Sequence, residues 1–171
     1  MSLQPRRHRT LTAALSLLAV AALRPVAARA QFLDAKVVSL DGAKTMAAAA
    51  ESEAHKRGWT VAIAVVDVGG ELILFHRIDD VQTGSLDVAI AKARAAARFK
   101  RPTRALADAV KGNPGLVALA GVVPVAGGLP IAADGKVIGG IGVSGMSSDQ
   151  DEIIAQAGLD ALGHGQRTSS P

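Results

Sequence analysis

Few side chains in this sequence are equipped for chemistry, and the most conspicuous is Lys92. At helical spacing its neighbours are Val88, Ala89, Ala95, Ala96 and Phe99, so its ammonium rises from an alanine-lined stripe. Arg94, Arg98 and Arg101 fall on a different, basic side. An ammonium in such a stripe must snorkel, pair with an acid or meet an anionic ligand. A second group lies in Gly127 to Glu152, GGLPIAADGKVIGGIGVSGMSSDQDE. Gly127-Gly128 beside a strand end either presents backbone N–H groups to an anion or simply makes a tight turn. Ser144-Gly145 delivers the chain onto a helix start carrying Ser147, Ser148, Asp149, Asp151 and Glu152. Ser148 and Asp151, three apart, resemble a capping box, which accounts for acids there without metal chemistry. Asp149 and Glu152 form a D-x-x-E pair that offers at most a weak surface site for ferrous iron.

Histidine is the remaining ligand type. His55 falls on the polar face of a helical stretch with Lys44 and Glu51 and reads as solvent-facing. His164 lies in the tail. His76 alternates with Leu72, Leu74 and Ile78 on one strand face, which makes it the histidine expected to be partly buried. Cysteine is absent, which excludes disulfides, thiolate metal sites, iron–sulfur clusters and covalently attached c-type haem. No G-x-S-x-G elbow, P-loop or H-E-x-x-H occurs.

The elements that must position these groups are readable in order. Leu40 to Arg57 is a helix with an apolar stripe of Ala43, Met46, Ala47, Ala50 and Ala54, closed by Gly58. Trp59 to Asp67 is a buried strand, Val68-Gly69-Gly70 turns it, and Glu71 to Ile78 returns antiparallel. Ser85, capping with its own hydroxyl, opens a helix through Phe99. Pro102 ends it, and Thr103 caps a short helix through Val110. Leu116 to Val125 supplies a third strand region, with Pro124 at an edge or end. Asp134-Gly135 is a hairpin turn. Gly139, Gly140, Gly142 and Gly145 interrupt the next strand, so a bulge, another chain or a ligand comes close to that backbone. A last helix runs from Ser148 to Leu162 and stops at Gly163. The order α-β-β-α-α-β-β-β-α implies an α+β fold, an antiparallel sheet of about five strands flanked by helices.

Residues 1–30 read as a cleaved export signal: Arg6, Arg7 and Arg9, then an apolar run from Leu11 to Leu23, then Ala28-Arg29-Ala30 before Gln31. That run is too short for a comfortable membrane span. Of 19 basic and 15 acidic residues, this segment holds five arginines and no acid. The mature chain therefore carries 14 basic and 15 acidic groups, formally −1, and has no basic nucleic-acid footprint. With Phe32, Trp59, Phe75 and Phe99 as its only aromatics, it offers little surface for base stacking either. The expected organisation is a signal over 1–30, one domain over 31–163 and a flexible tail over 164–171, with a periplasmic or secreted destination.

Several of these motifs together resemble the GlcG/HbpS family of small haem-binding or function-unknown domains, also found fused to corrinoid adenosyltransferases of the PduO type. VVDVGGEL with a following R-x-D, AKARAAARFKRPT, GGLPI, DG, G-x-IGVSG, S-x-QDE and AQAGL carry the resemblance. Ile78-Asp79-Asp80-Val81 departs from the family's Met-Asp-Gly-Ala continuation, Ala95 stands where the pattern has Thr, and Ala126 replaces an expected Pro. The resemblance implies a non-covalent haem or tetrapyrrole ligand and a homo-oligomer. On that reading Lys92 meets a propionate, Gly127, Gly128, Ser144 and Gly145 line the pocket, and His76 is the axial ligand. The alternative is an enzyme on a small carboxylate or oxo-acid, with Lys92 as electrophile or base beside the same backbone amides.

Overall fold

The computed structural model describes residues 35–165, with side chains through 163. The proposed export signal and residues 166–171 lie outside the described residues. Ser39 accepts a hydrogen bond from the Gly42 amide at 3.0 Å and opens α1, Leu40–Arg57. Gly58, in the left-handed region at φ 66°, closes it. The chain then forms β1 (Ala62–Asp67) and β2 (Leu72–Arg77), α2 (Gly84–Phe99) and α3 (Thr103–Gly112). A short 3-10 helix, Pro114–Ala118, precedes β3 (Gly128–Ala133), β4 (Lys136–Ser144) and α4 (Ser148–Gly165).

The fold is α+β, and its antiparallel sheet has four strands, in the order β2-β1-β4-β3, rather than about five. The missing strand is the segment from Leu116 to Val125. Its backbone makes local bonds instead, Leu116 N to Asn113 O, Leu119 N to Leu116 O and Val122 N to Leu119 O, so no ladder forms. Asp134-Gly135 makes the β3–β4 turn, both at positive φ. Pro130 sits in β3, an edge strand, where a missing donor is tolerated.

Alternation along the strands produces two cores. On one face Val61, Ile63, Val65, Ile141 and Val143 meet α1 and α4 through Met46, Ala50, Ile154 and Ala155. On the other, Ala62, Ala64 and Val66 meet Ala89, Ala93 and Ala97 of α2. Two glycines of β4, Gly140 and Gly142, belong to this second contact. A Cβ at Gly142 would stand 2.2 Å from the Ala89 carbonyl oxygen, and one at Gly140 2.4 Å from that of Ala93. At Gly128 it would stand 2.4 Å from the Lys92 carbonyl oxygen. What approaches the sheet at Gly128, Gly140 and Gly142 is thus α2 itself, laid directly on the backbone, whereas Gly139 faces the Val66 carbonyl and Val38, and Gly145 faces Thr60 and Val61. Two expected caps are also replaced. Ser85 is buried and accepts from Gln82, and buried Thr103 accepts from the Gly128 amide at 2.9 Å, clamping α3 to β3.

Candidate functional site

The helix of β4's far end explains where Lys92 goes. The helix start is capped by Ser147, whose hydroxyl accepts from Gln150 N while the Gln150 side chain accepts from Ser147 N at 3.1 Å. This is a capping box one residue earlier than Ser148 and Asp151. The shift releases Asp151 to the buried stripe of α4, in line with Ile154, Ala155 and Gly158. There its Oδ2 accepts from Lys92 Nζ at 2.7 Å and its Oδ1 from the Met146 amide at 3.0 Å. Lys92 also donates to the Val143 carbonyl at 2.9 Å. Both side chains are sealed, at 1% and 2% exposure. Burial pushes the Asp151 carboxyl above the usual carboxylate range, opposed by the Lys92 ammonium and the amides of Met146 and Gly145.

The structure therefore gathers Lys92, Gly127, Gly128, Ser144 and Gly145 at one junction, but closes it. A Cβ at Gly127 would stand 2.9 Å from Lys92 Nζ and 2.8 Å from Asp151 Cβ. Gly127 O accepts from Val143 N at 2.9 Å. Of the three fates open to the Lys92 ammonium, pairing with an acid is the one realised. The propionate contact and the electrophile or base role both need an ammonium that a ligand can reach, and this one ties α2 to α4 across the end of the sheet. Asp151 is the partner that the capping-box reading concealed.

Asp149 and Glu152 do not form a metal site. Arg104 of α3 takes both, reaching Asp149 Oδ1 at 2.6 Å and also pairing with Glu152. Among the described residues no group of three His, Asp or Glu side chains is arranged to hold a metal ion.

His76 stands on the other face of the sheet from α2, opposite Ile63 of β1, so the structure does not bring it to Lys92. Its Nδ1 lies 2.8 Å from Glu51 Oε2 of α1, and its side chain is 34% exposed. The second oxygen of Glu51 faces His55 Nε2 at 3.5 Å. His55 itself is 61% exposed, as its helix face implied. Trp59 lies nearby in the chain and packs on the same core, with the Arg57 guanidinium 5.0 Å above its ring. A carboxylate beside Nδ1 is the kind of outer-shell contact that orients a histidine for a metal through its other ring nitrogen. Glu51 was legible only as a polar-face residue; its pairing spans 25 positions.

A concave space of about 700 Å³ opens at neither place. Val38, Met46, Ile131, Ile138, Leu159 and Leu162 line it at the β3 edge, whereas His76 lies on the β2 edge. Its only charged lining residue, Lys36, is paired with Asp134 at 2.6 Å.

Comparison with known proteins agrees with this fold. The sequence model of the family described as "Haem degrading protein HbpS-like" matches residues 38–160. Protein GlcG of Escherichia coli is 36% identical over 109 residues, spanning 63% of this chain and 81% of GlcG. A double mutant of Streptomyces reticuli HbpS superposes with a TM-score of 0.75 at 39% identity, covering 82% of this chain and 97% of that one. PduOC, solved as a haem complex, gives 0.68 at 30% identity, covering 74% and 95%.

Proposed function

This chain belongs to the HbpS-like family, and we propose that it is an exported protein that binds haem non-covalently through His76. The observation that carries the reading is the 2.8 Å contact between His76 Nδ1 and Glu51, which leaves Nε2 free on a half-buried ring. The donor set suits a porphyrin better than a bare ion. A macrocycle supplies four ligands of its own, so one presented imidazole suffices, and the described residues hold no three-residue metal group. The haem complex of PduOC supports the ligand class. When bound, the iron porphyrin would supply the redox and ligand chemistry. This chain's share is to fix the imidazole tautomer and to offer apolar surface through Leu74 and Trp59.

Export is proposed from residues 1–30, and self-association from an exposed apolar segment. From Pro114 to Ala126 the chain carries no charged side chain, and Val117, Leu119 and Val125 are exposed. Covering such surface favours a homo-oligomer. Among the described residues no helix is long and apolar enough to cross a membrane.

Haemin titration of the mature domain tests the ligand. The parent should bind stoichiometrically with a shifted Soret band. Glu51→Gln should weaken binding by about 10–100-fold, the usual cost of a lost outer-shell carboxylate, while His76→Ala should move the band itself. A parent that leaves the haemin spectrum unchanged ends the proposal.

A further inference from the structure

We propose that the outer face of α2 carries a second site, a pocket for a small monocarboxylate gripped by Arg94 and Arg98. The two arginines are one helical turn apart, a spacing at which like charges repel. The structure nevertheless holds them together by their Nε edges. Arg94 Nε donates to the Gly70 carbonyl at 2.9 Å and Arg98 Nε to the Gly69 carbonyl at 2.7 Å. The β1–β2 turn is shaped around them: Gly70 has φ +88°, and a Cβ there would stand 2.6 Å from Arg98 Nε. Bonds at Nε orient each guanidinium plane and leave its terminal nitrogens to meet something else.

Little within the chain meets them. Arg94 has no carboxylate partner among the described residues. For Arg98 the nearest acid is Glu71, at 3.7 Å with both side chains half-exposed or more, a contact worth little. Two adjacent, oriented and nearly uncompensated cations therefore border a concavity of about 230 Å³. Its walls are Ile90, Ala91, Gly121 and Val123, with Asp87 also lining it.

Each property of the space selects a ligand feature. Planar guanidinium edges match a carboxylate in two-point geometry. Ile90 and Val123 favour a short apolar body over a fully hydrated inorganic anion. At roughly 30 Å³ per water-sized group the pocket has room for about seven such groups, the scale of a short-chain acid. Asp87 repels a second negative charge, which favours monoanions over dicarboxylates.

Butyrate is the probe, titrated into the intact mature protein by calorimetry and by following the amide signals of Gly69, Gly70 and Gly121. The expected result is saturable, millimolar binding that moves those three signals, with succinate, butylamine and inorganic phosphate each about tenfold weaker or worse, a difference of about 1.4 kcal/mol. Arg94→Gln should weaken butyrate by at least a similar factor. Because Arg94 also holds the turn, Val123→Phe is the cleaner variant: it fills the cavity, leaves both arginines in place and should abolish binding. His76→Ala should leave butyrate affinity unchanged, which separates this site from the haem proposal. Unchanged affinity in Val123→Phe, equal binding of phosphate, or no response to butyrate would each overturn the assignment.

Discussion

Replacing Asp151 by Asn should be among the most damaging single changes in this fold. The variant keeps an oxygen to accept from the Met146 amide and changes almost no volume, so it isolates the charge opposite Lys92. That ammonium is 1% exposed and 2.7 Å from the carboxylate it would lose. Breaking a sealed pair strands a buried charge at a cost of about 3–5 kcal/mol. For a domain of this size each kcal/mol lowers Tm by about 3–5 °C, so calorimetry should find Tm lower by roughly 10–25 °C. Lys92→Met tests the other partner and adds a pH signature. Burial already raises the Asp151 carboxyl, and removing the ammonium takes away the largest opposing influence. A carboxyl raised above its unfolded value of about 3.9 favours folding below that value and loses the benefit as pH rises through the folded pKa. The Lys92→Met variant should therefore be relatively more stable near pH 4 than near pH 7. The double variant Lys92→Met with Asp151→Leu removes both charges and should fall within about 2 kcal/mol of the parent. An Asp151→Asn protein within about 1 kcal/mol of the parent would refute the picture of a sealed, paired ammonium.

Three further outcomes follow from the same structure. Gly142→Ala drives a methyl into the Ala89 carbonyl at 2.2 Å and should cost about 1–3 kcal/mol or more in chemical denaturation; Gly84→Ala, with open space around it, should stay within about 0.5 kcal/mol, and equal costs would contradict the helix-on-glycine contact. Mass spectrometry of protein recovered outside the cytoplasm should give a chain starting at Gln31, and an intact Met1 in a soluble cytoplasmic fraction would argue against export. Light scattering at micromolar concentration should give a multiple of the chain mass that falls when Val117 and Leu119 are changed to Ser; a parent monomer would end the oligomer proposal.

Local chemistry was legible where one element sufficed. The alanine stripe of α1 runs over the residues its periodicity indicates, and Asp134-Gly135 turns as its positive-φ tolerance requires. The stripe around Lys92 set its ammonium among apolar neighbours but left open whether it would snorkel, pair with an acid or meet a ligand; the structure pairs it with Asp151. Its partner was also within reach, because Asp151, Ile154, Ala155 and Gly158 share one helical face, but an acid at a helix start has an ordinary explanation that hid the pattern. Leu116 to Val125 reads as a strand by composition, yet a strand exists only with a ladder partner, and Pro114, Gly115 and Asn113 set up a 3-10 turn instead. The crowding of glycines announced a close approach without saying by what; only packing identifies α2. Contacts such as Glu51 to His76 join distant elements, and nothing local in either segment encodes them.

Chemical rescue measures the ligand assignment most directly. Haemin bound to His76→Ala should lack the parental Soret band, and added imidazole should restore it by occupying the space the side chain vacates. Rescue should not be needed for Lys92→Ala, whose band should match the parent wherever the variant folds. A His76→Ala protein that binds haemin with the parental band, without imidazole, would contradict the account.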